Sequence, residues 1–254
     1  MLTFTCTSLS GGQGKTTVSI FLGRMLAQQG NTVLMIDADP QANLTFYLGH
    51  EVQENQPTLL EVIKKQVATE HGVYEVGENL WLIPADDGLD KAQDYLSSSG
   101  MGAVVLQKRL KEVSSSFNYC VIDAPPQRSQ LSLTSAGAAD HIIIPAEASS
   151  KGVNSLLRTL DLIAELQEID AFSGKVIGVL PFRDKWVGNN QAAQSRASIE
   201  AMREIAGTTP VLPSILESEQ FKKAIDKGVT LAALGFPQLE NPFQRIMEEL
   251  KVYV

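Results

Sequence analysis

The 254 residues of this chain are enough for one large α/β domain with a substantial core. The net charge of −8 does not indicate a broadly basic nucleic-acid binder, and no apolar run reaches the 18 residues of a membrane-spanning helix. The two cysteines, Cys6 and Cys120, fall in predicted buried strands, which favours reduced core thiols over a disulfide or a metal site. The N-terminus does not have the pattern of a secretion signal, so we expect a soluble cytoplasmic protein.

Strand and helix patterns alternate from the first residues onward. A strand at 2–7 leads into a helix at 18–29, and a continuously apolar strand follows at 32–36, as a parallel sheet buried on both faces requires. Thr58 and Glu61 form a capping box that begins a short helix. The next predicted elements are a strand at 80–83, a helix at 104–113 and a strand at 119–122.

The second half of the chain continues the alternation. Strands are predicted at 141–144 and 176–180, and helices at 153–169 and 191–205. A short strand at 211–212, a helix at 221–227 and a helix at 242–251 close the chain. The whole pattern predicts a single α/β domain over 1–254, with a doubly wound, mostly parallel sheet and helices on both faces. Ligand sites are then expected at the carboxyl ends of the strands.

The turn between the first strand and the first helix has the character of a phosphate-binding loop. It reads Ser8-Leu9-Ser10-Gly11-Gly12-Gln13-Gly14-Lys15-Thr16-Thr17. Its glycines allow backbone N–H groups to approach phosphate oxygens, and the helix that follows directs its positive end at the anion. We expect Lys15 to reach the β- and γ-phosphates and the Thr16 hydroxyl to bind Mg²⁺. The motif predicts an ATP-type nucleotide site formed by Gly11, Gly12, Gln13, Gly14, Lys15, Thr16 and Thr17.

This loop resembles the deviant Walker A loop of the ParA/MinD ATPases, which usually reads Lys-Gly-Gly-x-Gly-Lys-Thr. Ser10 stands where that family has its first lysine, and Leu9 stands where the general pattern has a glycine. The resemblance implies an ATP-dependent homodimer in which the first lysine reaches the partner's phosphates. A serine cannot supply that charge.

Two further strands end in carboxylates. Asp37-Ala38-Asp39-Pro40-Gln41 follows the second strand, and Asp123-Ala124-Pro125-Pro126 follows the strand at 119–122. These segments resemble the switch I and switch II segments of the family. The resemblance implies that Asp39 orients the attacking water with Asp37 as its supporting partner, and that Asp123 holds Mg²⁺. The alternative for Asp37 and Asp39 is simple turn capping.

The charge that is missing at Ser10 has a candidate replacement. Lys151 follows the strand at 141–144, where the family places a loop near the nucleotide and the dimer interface, and a lysine at a helix N-terminus is otherwise mildly unfavourable. We expect Lys151 to supply the displaced positive charge. Arg128 is the competing candidate, and a merely solvated Lys151 is the alternative. Pro213 lies in a segment that resembles the part of the family fold that packs on adenine.

The charge distribution directs attention to the C-terminal third for any DNA contact. Residues 1–173 carry 11 Lys and Arg against 20 Asp and Glu, whereas residues 174–254 carry 10 against 9. The resemblance to short ParA proteins, and through Ser10 to the branch that spaces carboxysomes, implies nonspecific binding to nucleoid DNA and an adaptor protein that stimulates hydrolysis. The basic candidates are Arg183, Lys185, Arg196, Arg203, Lys222, Lys223 and Lys227.

Other functions on the same fold remain as alternatives. A plasmid or chromosome partition ParA has the same motifs, and an ATP-dependent ligase resembling dethiobiotin synthetase would need a second pocket for a small acid. An iron–sulfur reductase would need cysteines in loops. A MinD-like protein would bind membrane through a basic amphipathic tail, but Glu248 and Glu249 in the last helix oppose anionic lipid. The apolar stripe of that helix, Phe243, Ile246, Met247 and Leu250, predicts packing on the core.

Overall fold

The computed structural model describes residues 1–252, with side chains to residue 249. Its strands are β1 (Leu2–Cys6), β2 (Val33–Asp37), β3 (Tyr74–Gly77), β4 (Leu80–Ile83), β5 (Tyr119–Asp123), β6 (His141–Glu147), β7 (Lys175–Asp184), β8 (Trp186–Val187), β9 (Asn190–Gln191) and β10 (Ile215–Leu216). Its α-helices are α1 (Lys15–Gln28), α2 (Asn43–Tyr47), α3 (Leu59–Ile63), α4 (Ala92–Ser98), α5 (Val105–Lys111), α6 (Gln130–Gly137), α7 (Ser150–Glu168), α8 (Ala193–Ala206), α9 (Glu219–Asp226) and α10 (Asn241–Val252).

Eight strands form one sheet in the order β10-β7-β6-β1-β5-β2-β4-β3. All neighbours pair in parallel except β3, which runs antiparallel to β4 at the edge. Strand β5 lies between β1 and β2, with Asp123 in register with both Cys6 and Asp37. The carboxyl ends of these central strands therefore meet at one edge of the sheet, where the phosphate loop begins. The predicted doubly wound, mostly parallel fold is confirmed.

Both faces of the sheet are covered by helices because the strand residues alternate between two cores. In β2, Val33 and Met35 pack into a core with α1, α9 and α10, whereas Leu34 and Ile36 pack into a core with α3, α4 and α5. A third cluster lies between β6, β7, α7 and α8. Successive side chains of a strand point to opposite faces, so a sheet that is buried on both faces requires strands that are apolar at every position.

Several predicted boundaries differ from the structure. Helix α1 begins at Lys15 instead of residue 18, because the chain turns into the helix at Gly14, which has a left-handed φ of 94°. Strand β7 extends to Asp184 because it pairs with β6 as far as Phe182 and with β10 as far as Asp184. The strand predicted at 211–212 is only a single bridge from Val211 to Val179, and β10 forms the edge. Helix α8 starts after Gln191 because that residue pairs in the β8–β9 hairpin.

Candidate nucleotide site

The phosphate loop follows β1 and ends where α1 begins. Gly12 and Gly14 have φ values of +83° and +94°, a region that side-chain-bearing residues rarely adopt. A Cβ at Gly14 would lie 2.6 Å from the ring of Phe182, so this position also needs glycine for space. Gly11 and Gly12 are exposed, and Gln13 is buried with its Oε1 accepting from the N–H of Glu147 at 2.8 Å. The glycines of the loop are therefore exposed to solvent, while the buried side chain of Gln13 anchors the loop to β6.

Lys15 lies under this loop with only 7% of its surface exposed. Its Nζ donates to the carbonyl of Ser10 at 3.1 Å, so the ammonium group folds back toward the loop. Burial lowers the pKa of Lys15, and the nearby carboxylates of Asp123 and Asp39 oppose that shift. The Lys15 side chain is therefore buried at the loop, with its ammonium group on the loop backbone.

Asp37 is fully buried at the end of β2. Its Oδ2 accepts two hydrogen bonds of 2.8 Å, from the backbone N–H and the hydroxyl of Thr45, and its Oδ1 accepts from the N–H of Asp39 at 3.2 Å. Burial raises the pKa of Asp37 to about 6, although these hydrogen bonds act in the opposite direction. Asp39 is half-buried and accepts from the N–H of Gln41 at 3.0 Å. Asp37 thus fixes the backbone that carries Asp39.

Asp123 is buried at the end of β5, beside Asp37. The hydroxyl of Ser19 lies 3.4 Å from its Oδ1, and the Thr16 side chain also hydrogen-bonds to this carboxylate. Burial, followed by the charge of Asp37, raises the pKa of Asp123, while Thr16 and Lys15 oppose the shift. Two buried carboxylates next to a single lysine, with Thr16 on one of them, form a donor set that suits a divalent cation.

Helix α7 brings Lys151 to the loop. Its Nζ donates to the carbonyl of Gly11 at 2.8 Å, and Lys151 itself is exposed. The competing candidate, Arg128, instead makes a bidentate ion pair with Glu165. Of the two cations considered for the charge missing at Ser10, the structure brings Lys151 to the phosphate loop.

Two cavities lie near the carboxyl ends of β7 and β10. One, of about 390 Å³, opens beside Thr17 and is lined also by Phe182, Arg183 and Glu217. Pro213 lines a separate cavity of about 580 Å³. The structure therefore does not bring Pro213 into the cavity next to the phosphate loop.

Comparison with known proteins identifies the family. The family model described as AAA domain matches residues 3–171, more than half of the chain. Maintenance of carboxysome distribution protein A from Synechococcus elongatus is 63% identical over 250 residues, which cover 98% of this chain and 99% of that protein. This chain belongs to the ParA-like ATPases, in the carboxysome distribution (McdA) family. The predicted family is confirmed.

Solved structures agree with this family. A Cyanothece McdA variant, solved as its ATP complex, matches with a TM-score of 0.97 at 54% identity, covering 99% of this chain and 96% of that chain. Cobyrinic acid a,c-diamide synthase from Mycobacterium smegmatis, solved with bound ADP and magnesium, matches with a TM-score of 0.78 at 27% identity, covering 89% of this chain and 91% of that chain. The fold of the McdA family is thus shared with a metabolic enzyme.

The basic candidates of the C-terminal third are all exposed, and several of them line cavities. Arg196 and Arg203 on α8 line the cavity of Pro213. Arg183 and Lys222 line the cavity beside Thr17, and Lys227 lines a cavity next to α1. Lys223 lies 3.9 Å from Glu219 on α9, and Lys185 precedes the β8–β9 hairpin.

The last helix packs on the core. Phe243, Ile246 and Met247 are buried, and Phe243 lies against Phe21 and Phe221. The side chain of Leu250, the fourth residue of the predicted stripe, lies outside the described residues. None of the helices in residues 1–252 combines the length and apolar character that a bilayer span needs.

Cys6 and Cys120 are free and buried within β1 and β5, as predicted. Within residues 1–252 no group of three or more His, Cys, Asp or Glu side chains has the arrangement of a metal site.

Sequence reasoning missed several residues that hold the site together. Thr45 binds Asp37, Ser19 lies against Asp123, and Arg158 donates to the Ser10 hydroxyl at 2.8 Å. Ser19 lies four residues after Lys15 on one face of α1, a spacing that could have suggested its role. Thr45 and Arg158 follow no such local pattern.

Proposed function

We propose that this chain is a Mg²⁺-dependent ATPase that works as a dimerising switch, binds nonspecific nucleoid DNA and positions carboxysomes through an adaptor of the ParB or McdB type. We place it in the cytoplasm, associated with the nucleoid, as a single ATPase domain over 1–254. The convergence of Lys15, Asp37, Asp123 and Lys151 on one glycine loop carries the enzymatic part of this proposal. The full-length similarity to carboxysome distribution proteins supports the cellular part.

The residues fit ATP and Mg²⁺. The backbone from Gly11 to Gly14 would bind phosphate oxygens together with Lys15, Thr16 and Thr17. The Thr16 hydroxyl and Asp123 would hold Mg²⁺, which supplies positive charge to the phosphate oxygens when bound. We assign the base to the cavity beside Thr17 in preference to the separate cavity of Pro213, because only the former adjoins the loop.

Asp39 is the residue that we assign to orient the attacking water. Its carboxylate is half-buried, and its backbone is held by Asp37, which is itself held by Thr45. These hydrogen bonds hold Asp39 at the carboxyl edge of the sheet, and within residues 1–252 only the Oδ1 atom of its carboxylate accepts a hydrogen bond, from the N–H of Gln41. Substitution Asp39→Ala is expected to stop hydrolysis while leaving ATP binding in place.

Lys151 is assigned the role of the missing first lysine. Its ammonium group rests 2.8 Å from the carbonyl of Gly11, and both Lys151 and Gly11 are exposed residues. Removing one positioned hydrogen-bond donor that stabilises the charge of a transition state costs about 10²- to 10³-fold in turnover. We expect that loss for Lys151→Met and little change for Arg128→Met, whose cation pairs with Glu165. Normal hydrolysis and ATP-dependent dimerisation in Lys151→Met would exclude the assignment.

Binding to DNA is the experiment that tests the switch. The unmutated chain is mixed with nonspecific duplex DNA without nucleotide, with ADP and with ATP–Mg²⁺, across a salt series. We expect binding with ATP only, and a steep loss as salt rises, with a slope of about −0.9 per phosphate contacted. Replacing Arg196 and Arg203 together by Ala should flatten the slope if α8 provides contacts, with Arg245→Ala as the matched control.

A small-molecule ATP-dependent ligase is the second candidate. The 27% identity to cobyrinic acid a,c-diamide synthase over most of both chains favours it, and the 580 Å³ cavity at Pro213 offers room for a second substrate. Absence of DNA binding in every nucleotide state would leave this candidate, together with a MinD-like membrane protein. Burial of Phe243, Ile246 and Met247 argues against the last helix as a membrane anchor. ATP-dependent DNA binding without carboxysome association would instead favour a plasmid or chromosome partition ParA.

A further inference from the structure

Four consecutive residues of the phosphate loop, Ser8 to Gly11, contact one helix, α7. The contacts are Ser8 Oγ with Ser155 Oγ at 3.0 Å, Leu9 N–H to Thr159 Oγ1 at 3.1 Å, the Arg158 guanidinium to Ser10 Oγ at 2.8 Å, and Lys151 Nζ to the Gly11 carbonyl at 2.8 Å. Residues 151, 155, 158 and 159 lie on the same side of the helix, because residues three and four apart are neighbours on its surface. The first half of the loop is therefore held along one face of α7.

The position of α7 is itself fixed against the sheet. Ser149 caps the helix by accepting from the N–H of Gly152, and a Cβ at Gly152 would overlap the carbonyl of Glu147 in β6. Leu9 is 7% exposed and packs in the cluster that includes Leu156. The helix can thus act as a rigid support for the loop.

The contacts at Ser8 and Leu9 are buried and uncharged, whereas Ser10 is held by a guanidinium from the exposed side of α7. The carbonyl of Ser10 accepts from Lys15, and the carbonyl of the next residue, Gly11, accepts from Lys151. Gly11 and Gly12 follow directly and have the backbone freedom of glycine. Ser10 is therefore the last residue in this half of the loop whose side chain contacts α7.

We propose that Arg158 is a positioning residue for the phosphate loop. By binding the Ser10 hydroxyl it fixes the backbone of Ser10 and Gly11, whose two carbonyl oxygens set the resting positions of the Lys15 and Lys151 ammonium groups. Arg158 acts through the loop and touches no phosphate itself. The functional consequence rests on the proposed ATPase function, but the ordering of the loop does not depend on it.

Hydrogen exchange of the loop in the nucleotide-free protein tests the ordering. We expect faster exchange of the amides of residues 10–12 in Arg158→Ala and in Ser10→Ala, and no further increase in the double variant, because both changes remove the same contact. Arg158→Lys, which keeps one charged donor, should fall between Arg158→Ala and the unmutated chain. Asp161→Ala, an exposed change one turn further along α7, serves as the control. Thermal unfolding verifies that each variant is folded.

Steady-state ATP hydrolysis tests the consequence. We expect KM for ATP–Mg²⁺ to rise about three- to tenfold in Arg158→Ala, the range of one net hydrogen bond, with a smaller effect on kcat. Additive effects of Ser10→Ala and Arg158→Ala, or unchanged exchange in both, would overturn the proposal. If the unmutated chain neither binds nor hydrolyses ATP, the proposed function fails, while the exchange experiment still decides whether Arg158 orders the loop.

Discussion

Substitution of Thr45 tests how the carboxylate of Asp37, and through it the backbone of Asp39, is held in place. Its hydroxyl donates to Asp37 Oδ2 at 2.8 Å and accepts from the N–H of Ala85 at 3.0 Å, with only 3% of the residue exposed. The substitution Thr45→Val keeps the shape but removes both hydrogen bonds. A hydrogen bond to a charged group contributes about 1.5–3 kcal/mol, and an orphaned buried N–H costs about 1–3 kcal/mol. Because neighbouring losses overlap, we expect Thr45→Val to lower the free energy of unfolding by at least about 2 kcal/mol.

Thr45→Ser is the matched control, because it keeps the hydroxyl and loses one methyl group worth about 0.8 kcal/mol. Urea unfolding of the nucleotide-free protein measures both values. Hydrolysis should fall in Thr45→Val and persist in Thr45→Ser, because Asp37 then keeps its partner and continues to hold the backbone of Asp39. Equal stability of the two variants would refute the reasoning that the Thr45 hydroxyl supports switch I.

Three further predictions concern the loop, the thiols and the last helix. Gly14→Ala forces a side chain into φ +94° and against the ring of Phe182, so urea unfolding should show a loss of about 1–3 kcal/mol; an unchanged midpoint would contradict this geometry. Burial raises the pKa of Cys6 to about 12 and also raises that of Cys120, so a thiol reagent at pH 8 should label neither in the folded protein and both in denaturant. Phe243→Ala should cost about 3–5 kcal/mol in urea unfolding, and a loss below about 1 kcal/mol would mean that α10 is not part of the core.

The fold was predictable because its main elements carry local signals. Strand β2 is continuously apolar and ends in Asp37, and the glycine loop marks the junction of β1 and α1. Once the sheet is parallel, the carboxyl ends of neighbouring strands must meet, so the sequence alone predicts that Asp37 and Asp123 lie near Lys15. The register of Asp37 with Asp123 shows that proximity.

The parts that sequence reasoning missed depend on contacts between distant residues. Helix α2 has only five residues, too few for a periodic pattern, yet it places Thr45 on Asp37. Arg158 lies 148 positions from Ser10, and only the packing of α7 against β6 brings them together. Val211 forms only a single bridge to Val179 of β7 instead of a strand, and this pairing depends on which edge of β7 is free, a property of the sheet that the local sequence does not indicate.

The two departures of the phosphate loop from the common pattern are physically linked. Leu9 is buried among apolar residues on the α7 side of the sheet, and the next residue, Ser10, accepts a hydrogen bond from Arg158 on the same helix. A lysine at position 10 in this orientation would set its ammonium group against the Arg158 guanidinium, whereas a serine accepts a hydrogen bond from it. The cations that join Lys15 at the loop are therefore Lys151 and Arg158 on α7, instead of a lysine at position 10. Any movement of the first half of the loop must either carry α7 with it or break the contacts from Ser8 to Gly11.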